Sequence, residues 1–61
     1  MSDEDEIRQA AAAHVQALGS GAVGWLQEQA EIADTIGDHS AAETWREIAA
    51  AASLILRARL N

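Results

Sequence analysis

The sequence predicts an all-α protein, and three features support this prediction. Alanine supplies 15 of the 61 residues and proline is absent, which favours helix because alanine has the highest helix propensity and proline the lowest. Apolar residues recur every three to four positions, as they do on one side of a helix. The four glycines divide the chain into segments. We expect helices over about residues 3–18, 21–36 and 41–59 of a single small domain that spans residues 1–61, with the last two helices forming an antiparallel hairpin.

The first predicted helix begins with the acidic run DEDE, which follows Ser2. Ser2 is a suitable N-cap, and the negative charges favour the positive end of the helix dipole. Glu4 and Arg8 are spaced for an ion pair one turn apart. Gly19 is expected to end the helix as a C-terminal cap. One face collects the apolar residues and a histidine: Ile7, Ala11, His14, Val15 and Leu18.

The second predicted helix has the clearest amphipathic pattern of the chain. Ser20 is its expected N-cap and Gly37 its expected end. The polar half of the helix includes three acids, Glu28, Glu31 and Asp34, which we expect to face solvent. The apolar half, expected to face the other helices, comprises Ala22, Val23, Trp25, Leu26, Ala30, Ile32, Ala33 and Ile36.

The third predicted helix is apolar on more than one side. Ser40 and Glu43 have the spacing of a capping box at its start, and Arg57 and Arg59 suit the negative end of its dipole. Leu54 lies outside the inward stripe and is surrounded by alanines. Such a helix is usually buried on more than one face, which predicts a second contact surface; a leucine simply exposed to solvent is the alternative. The inward stripe comprises Ala41, Ala42, Trp45, Ile48, Ala49, Ala52, Ile55 and Leu56.

The small size of the chain favours association with a second copy. A domain of this length buries only about 60% of its unfolded surface, and small scaffolds are commonly stabilised by disulfides, metals or oligomerisation. The chain has no cysteine. We therefore expect a non-enzymatic interaction protein that forms a homodimer, and thereby a larger bundle, through alanine-rich helix faces. The tryptophans could fill the core or contribute to the interface. The candidate interface residues are Trp25, Trp45, Ala50, Ala51, Leu54, Ala58 and Leu60.

The formal net charge of −6 limits the classes of partner. It argues against direct binding to nucleic acid or to an anionic membrane, because both require a positive surface. It allows a basic protein partner, so an alternative function is an acidic inhibitor or antitoxin-like module of phage type. In that role Glu28, Glu31 and Asp34 would imitate phosphates for a basic nucleic-acid-handling protein. The acidic N-terminus differs from a signal peptide, and no apolar run could span a bilayer, so we expect a cytoplasmic location.

No residue pattern predicts catalysis, a cofactor or a metal site. His14 and His39 lack the spacing of metal ligands and have no cysteine beside them. The serines are explained as helix caps. We expect His14 at the edge of the core with one ring nitrogen hydrogen-bonded, and a pH-sensitive contact there is an open alternative. The expected class is therefore not an enzyme.

The stretch GDHSAAETWREI, residues 37–48, resembles a family of small alanine-rich helical domains of unknown function from alphaproteobacteria. The signature of that family is G-D-x-x-[GA]-A-x-x-W-R-x-[IV], followed by an alanine-rich amphipathic helix. Such domains often carry basic residues in their second helix, where this chain has Glu28, Glu31 and Asp34. The resemblance implies a bacterial helical domain and brings no activity with it.

Overall fold

The computed structural model describes the backbone of residues 3–60 and the side chains of residues 4–59. These residues form helix α1 (Asp3–Leu18), a 3-10 turn (Gly19–Gly21), helix α2 (Ala22–Thr35) and helix α3 (His39–Leu60). The all-α prediction is confirmed, and the described residues contain no strand. Ser2, the predicted cap of α1, and the side chain of Leu60, a candidate interface residue, lie outside the described part.

Helix α3 is the central element of the fold. It packs along both α1 and α2, whereas α1 and α2 have few contacts with each other. The short connection between α2 and α3 reverses the chain, so these two helices are antiparallel neighbours, as the hairpin prediction states. The molecule is flat, with extents of 37 × 28 × 16 Å. No helix among residues 3–60 combines the length and the apolar character needed to cross a membrane.

The core consists mainly of small side chains. Leu26 and Val15 are the largest fully buried residues. Because alanine projects little beyond the backbone, helices that meet through alanine can approach closely and gain dispersion contacts between their backbones. The helices are thus stabilised by close approach more than by large interlocking side chains. The central cluster comprises Ala11, Val15, Ala22, Leu26, Ile48, Ala49 and Ala52.

Part of the predicted apolar half of α2 is not in the core. Trp25 is 38% exposed, Ile32 50% and Ile36 75%. The prediction that they face the core is wrong for the two isoleucines, because the buried side of α2 is the narrower one formed by Ala22, Leu26, Ala30 and Ala33. A helix of this thin molecule has neighbours on too few sides to cover an apolar half as wide as that of α2.

Two predicted caps are also wrong. Helix α3 begins at His39 rather than at residue 41, because Asp38 takes the capping position and its Oδ1 accepts a hydrogen bond of 3.1 Å from the backbone N–H of Ala41. Ser40 therefore lies inside the first turn, and aspartate caps a helix as well as serine does. At the start of α2 the capping position is Gly21, with no side-chain hydrogen bond, because the 3-10 turn continues into the helix without a break.

Candidate interaction surfaces

The first candidate surface is a stripe along α3, here named the α3 outer face. At about 100° per residue, its six members fall within roughly 120° of the helix circumference. All six are exposed, and Leu54 is 63% exposed. The structure thus places Leu54 in solvent with alanines beside it, on the side of α3 that the other helices leave open. The α3 outer face consists of Glu43, Glu47, Ala50, Leu54, Arg57 and Ala58.

Two grooves border the α3 outer face. The larger, of about 750 Å³, lies between α1 and α3, and Leu54 and Ala51 line it together with Ile7 and Ala12 of α1. The smaller, of about 310 Å³, lies between α2 and α3. Ala50 lines both grooves, so the α3 outer face forms a ridge between them. Sequence reasoning identified the α3 wall of the larger groove but missed the α1 wall, because Ile7 has the spacing of a core residue.

The rim of the larger groove carries the ion pair predicted within α1. The guanidinium of Arg8 lies 3.8 Å from the carboxylate of Glu4, and both side chains are largely exposed. An exposed pair of this kind contributes at most about 1 kcal/mol to stability. Its main effect is to make the rim polar while the groove floor remains apolar.

An aromatic cluster, defined as His14, Trp25 and Trp45, joins the three helices. The imidazole of His14 stacks on Trp25 with ring centroids 5.2 Å apart, and Trp45 packs edge-on against Trp25 at 5.8 Å. The Nδ1 of His14 lies 2.7 Å from the carbonyl oxygen of Ala10; since a carbonyl only accepts, Nδ1–H is the donor. His14 is half-buried, which confirms its predicted place at the edge of the core.

The candidate interface residues do not form one surface. Trp45 and Leu54 are separated by half a helical circumference, because nine residues at about 100° each amount to about 180° beyond two full turns. Trp45 is half-buried within the aromatic cluster, and Trp25 packs against it. The tryptophans therefore belong to the packing of the three helices, while Leu54, Ala50, Ala51 and Ala58 border the open side of α3.

The proposed acidic surface on α2 contains two free carboxylates rather than three. Glu28 and Glu31 are exposed, but Asp34 forms an ion pair with Arg46 and a hydrogen bond of 2.9 Å with Nδ1 of His39. The hydrogen bond from His39, followed by the interaction with Arg46, holds the pKa of Asp34 below its ordinary value. Asp34 therefore links α2 to α3, and its charge is not available to a partner.

Six residues of the signature stretch have a structural role in the α2–α3 hairpin. Gly37 has a φ of 86°, which favours glycine, and Asp38 caps α3. Ala42 is fully buried, Ile48 belongs to the core and Trp45 to the aromatic cluster, while Arg46 pairs with Asp34. These six positions are thus explained by packing, capping and one ion pair.

The comparisons with other proteins return nothing: the chain matches no protein-family model, no curated protein and no solved structure. Among the side chains described, those of residues 4–59, no three histidine or acidic groups are placed together as metal ligands would be. A functional proposal for this chain consequently depends on its exposed surfaces.

Proposed function

We propose that the chain is a non-enzymatic interaction protein that self-associates through the α3 outer face. The observation that carries the proposal is Leu54, a large apolar side chain that is 63% exposed on a ridge of small residues between two grooves. A second copy would cover this side chain and convert the helical layer into a larger bundle. The chain resembles small alanine-rich helical domains from alphaproteobacteria. That resemblance implies a helical domain without an assigned activity, which is compatible with this role.

The dimensions of the molecule favour this surface over a narrow edge. A stable interface covers about 800 Å² on each partner. Because α1 and α2 border α3 on its two sides, the α3 outer face lies on a broad side of the molecule. That side measures 37 × 28 Å, or about 1,000 Å², which can supply an interface of standard size. An edge of 37 × 16 Å offers only about 600 Å², which is below that size.

The alternative function, an acidic inhibitor or antitoxin-like module, is supported by the net charge of −6 and by the exposed Glu28 and Glu31 one turn apart. A basic partner would bind there mainly through charge. Complex formation that weakens steeply as salt rises, and that is lost in the Glu28→Gln/Glu31→Gln variant, would favour this alternative. Binding that is insensitive to salt would contradict it.

The test of self-association is the molar mass in solution. Light scattering or sedimentation should give the mass of two chains of 6.5 kDa each, and Leu54→Glu should give one, because a carboxylate cannot be buried in an apolar contact without a large loss of hydration. Ile36→Glu is the matched control, since Ile36 is 75% exposed at the C-cap of α2 and is not part of the α3 outer face; it should leave the dimer intact.

Circular dichroism verifies that both variants keep their helix content. Wild-type protein that remains a single chain at high micromolar concentration contradicts the proposal. A dimer that persists in Leu54→Glu does so as well.

A further inference from the structure

The charges of the α3 outer face are divided along the helix. Glu43 and Glu47 lie towards its N-terminal end and Arg57 towards its C-terminal end, with Ala50 and Leu54 between them. Glu47 and Arg57 are about 15 Å apart along the helix axis, at 1.5 Å per residue. Within the described part of the chain, neither has an ion-pair partner. The face therefore carries a negative end, an apolar centre and a positive end.

A surface with this order of charges is complementary to itself when a second copy runs in the opposite direction. In an antiparallel pair related by a twofold axis, a residue a given number of positions before the axis faces the partner's residue the same number of positions after it. An axis at the height of residue 52 brings Glu47 opposite the partner's Arg57. The same axis brings Leu54 opposite the partner's Ala50. Each contact then occurs twice in the dimer.

The apolar contact and the charge pair thus favour the same register. Leu54 projects from the ridge, and Ala50 is an exposed small residue that borders both grooves. A leucine of the partner can therefore pack over Ala50. A parallel pair would instead bring like charges together, Glu47 against the partner's Glu47 and Arg57 against the partner's Arg57. Because like charges opposed across an interface are unfavourable, charge acts against that arrangement.

We propose that the partner of the α3 outer face is a second copy of the chain, docked antiparallel, with Leu54 seated over the partner's Ala50 and Glu47 paired with the partner's Arg57. This inference rests on the self-association proposed above and adds its geometry. Exposed ion pairs contribute little affinity but discriminate strongly between arrangements. The leucine contacts supply the attraction, and the charges determine the direction.

Charge reversal tests this geometry without any structure of the dimer. Glu47→Arg and Arg57→Glu should each weaken the homodimer about 10- to 100-fold in Kd, because each places like charges together at two symmetric contacts. Mixed in equal amounts, the two variants should form a heterodimer with a Kd within about threefold of wild type, since every contact then joins opposite charges. Sedimentation equilibrium of each variant and of the mixture measures these constants.

The control is Glu28→Arg, which reverses an exposed charge on α2 and should leave the Kd unchanged. Circular dichroism confirms folding of each variant before the mixing experiment. If wild type dimerises but the mixture does not recover affinity, the antiparallel geometry is overturned while self-association stands. If wild type does not dimerise, both proposals are overturned.

Discussion

The turn between α2 and α3 and the turn between α1 and α2 each contain a glycine with positive φ, Gly37 at 86° and Gly19 at 61°, but different groups surround these glycines. Around Gly37, the side chain of Asp38 caps α3, and Asp34 bonds to His39 and Arg46. Around Gly19 the chain forms a 3-10 turn, and α2 starts without a side-chain cap.

This difference shows two ways of reversing a helical chain. The α2–α3 turn is specified locally, because its side chains satisfy backbone groups and join the two helices directly. The α1–α2 turn relies on backbone hydrogen bonds and on the packing of α1 against α3. We therefore expect removal of a side chain to reduce stability more at the α2–α3 turn than at the α1–α2 turn. Three measurements examine this comparison and the features that define the α2–α3 turn.

The largest effect is expected for Gly37→Ala. A φ of 86° is strained for any residue with a Cβ, so the free energy of unfolding should fall by about 1–2 kcal/mol. Nothing lies within 4 Å of an added Cβ, so backbone strain is the cause. Gly24→Ala, in the first turn of α2 and equally open, should instead stabilise, by up to about 1 kcal/mol.

Urea unfolding at a fixed protein concentration gives both free energies. The fixed concentration matters because self-association would contribute to apparent stability. The two alanine variants should change the free energy with opposite signs. A destabilising Gly24→Ala would show that the difference between the two glycines does not arise from φ.

A smaller loss is expected for Asp38→Ala. Removing the hydrogen bond from the carboxylate to the backbone N–H of Ala41 should lower the free energy of unfolding by about 1 kcal/mol. The matched change at the other turn is Ser20→Ala, which should alter the free energy of unfolding by less than about 0.5 kcal/mol, since α2 has no side-chain cap. Equal losses in thermal or urea unfolding would remove the distinction between the two turns.

The third measurement is the dependence of stability on pH, which should include a contribution from Asp34. Its pKa in the folded chain is held below the ordinary value of 3.8, first by the hydrogen bond from His39 and then by Arg46. The ionised form is therefore favoured by folding. The resulting stabilisation is complete above pH 3.8 and is lost as the pH falls from there through the lower pKa of the folded state.

Asp34→Asn should remove this part of the acid dependence, seen as a shallower fall of the melting temperature below pH 3.8. Glu28→Gln, which neutralises an exposed acid of the same helix, provides the control for the change in net charge. If the two variants gave the same pH profile, the contacts of Asp34 would have no special role in the turn.

Much of the fold could be predicted because helix formation depends on local sequence. Alanine content, the acidic start of α1 and the positions of Gly19 and Gly37 place the helices within two residues of their observed ends. The exposure of Leu54 followed from its angle on α3. Less of the surface could be predicted: the contribution of Ile7 and Ala12 to the larger groove depends on where α1 lies against α3.

The sequence by itself determined which segments are helical and which side of each helix is apolar, because both depend on residues within a few positions of one another. Only the tertiary structure decided how much of each apolar side is covered. It exposed Ile32 and Ile36, stacked His14 on Trp25 and joined Asp34 to Arg46. The physical reason is that helical periodicity gives a direction around one axis, whereas burial and ion pairing depend on which other helix occupies that direction.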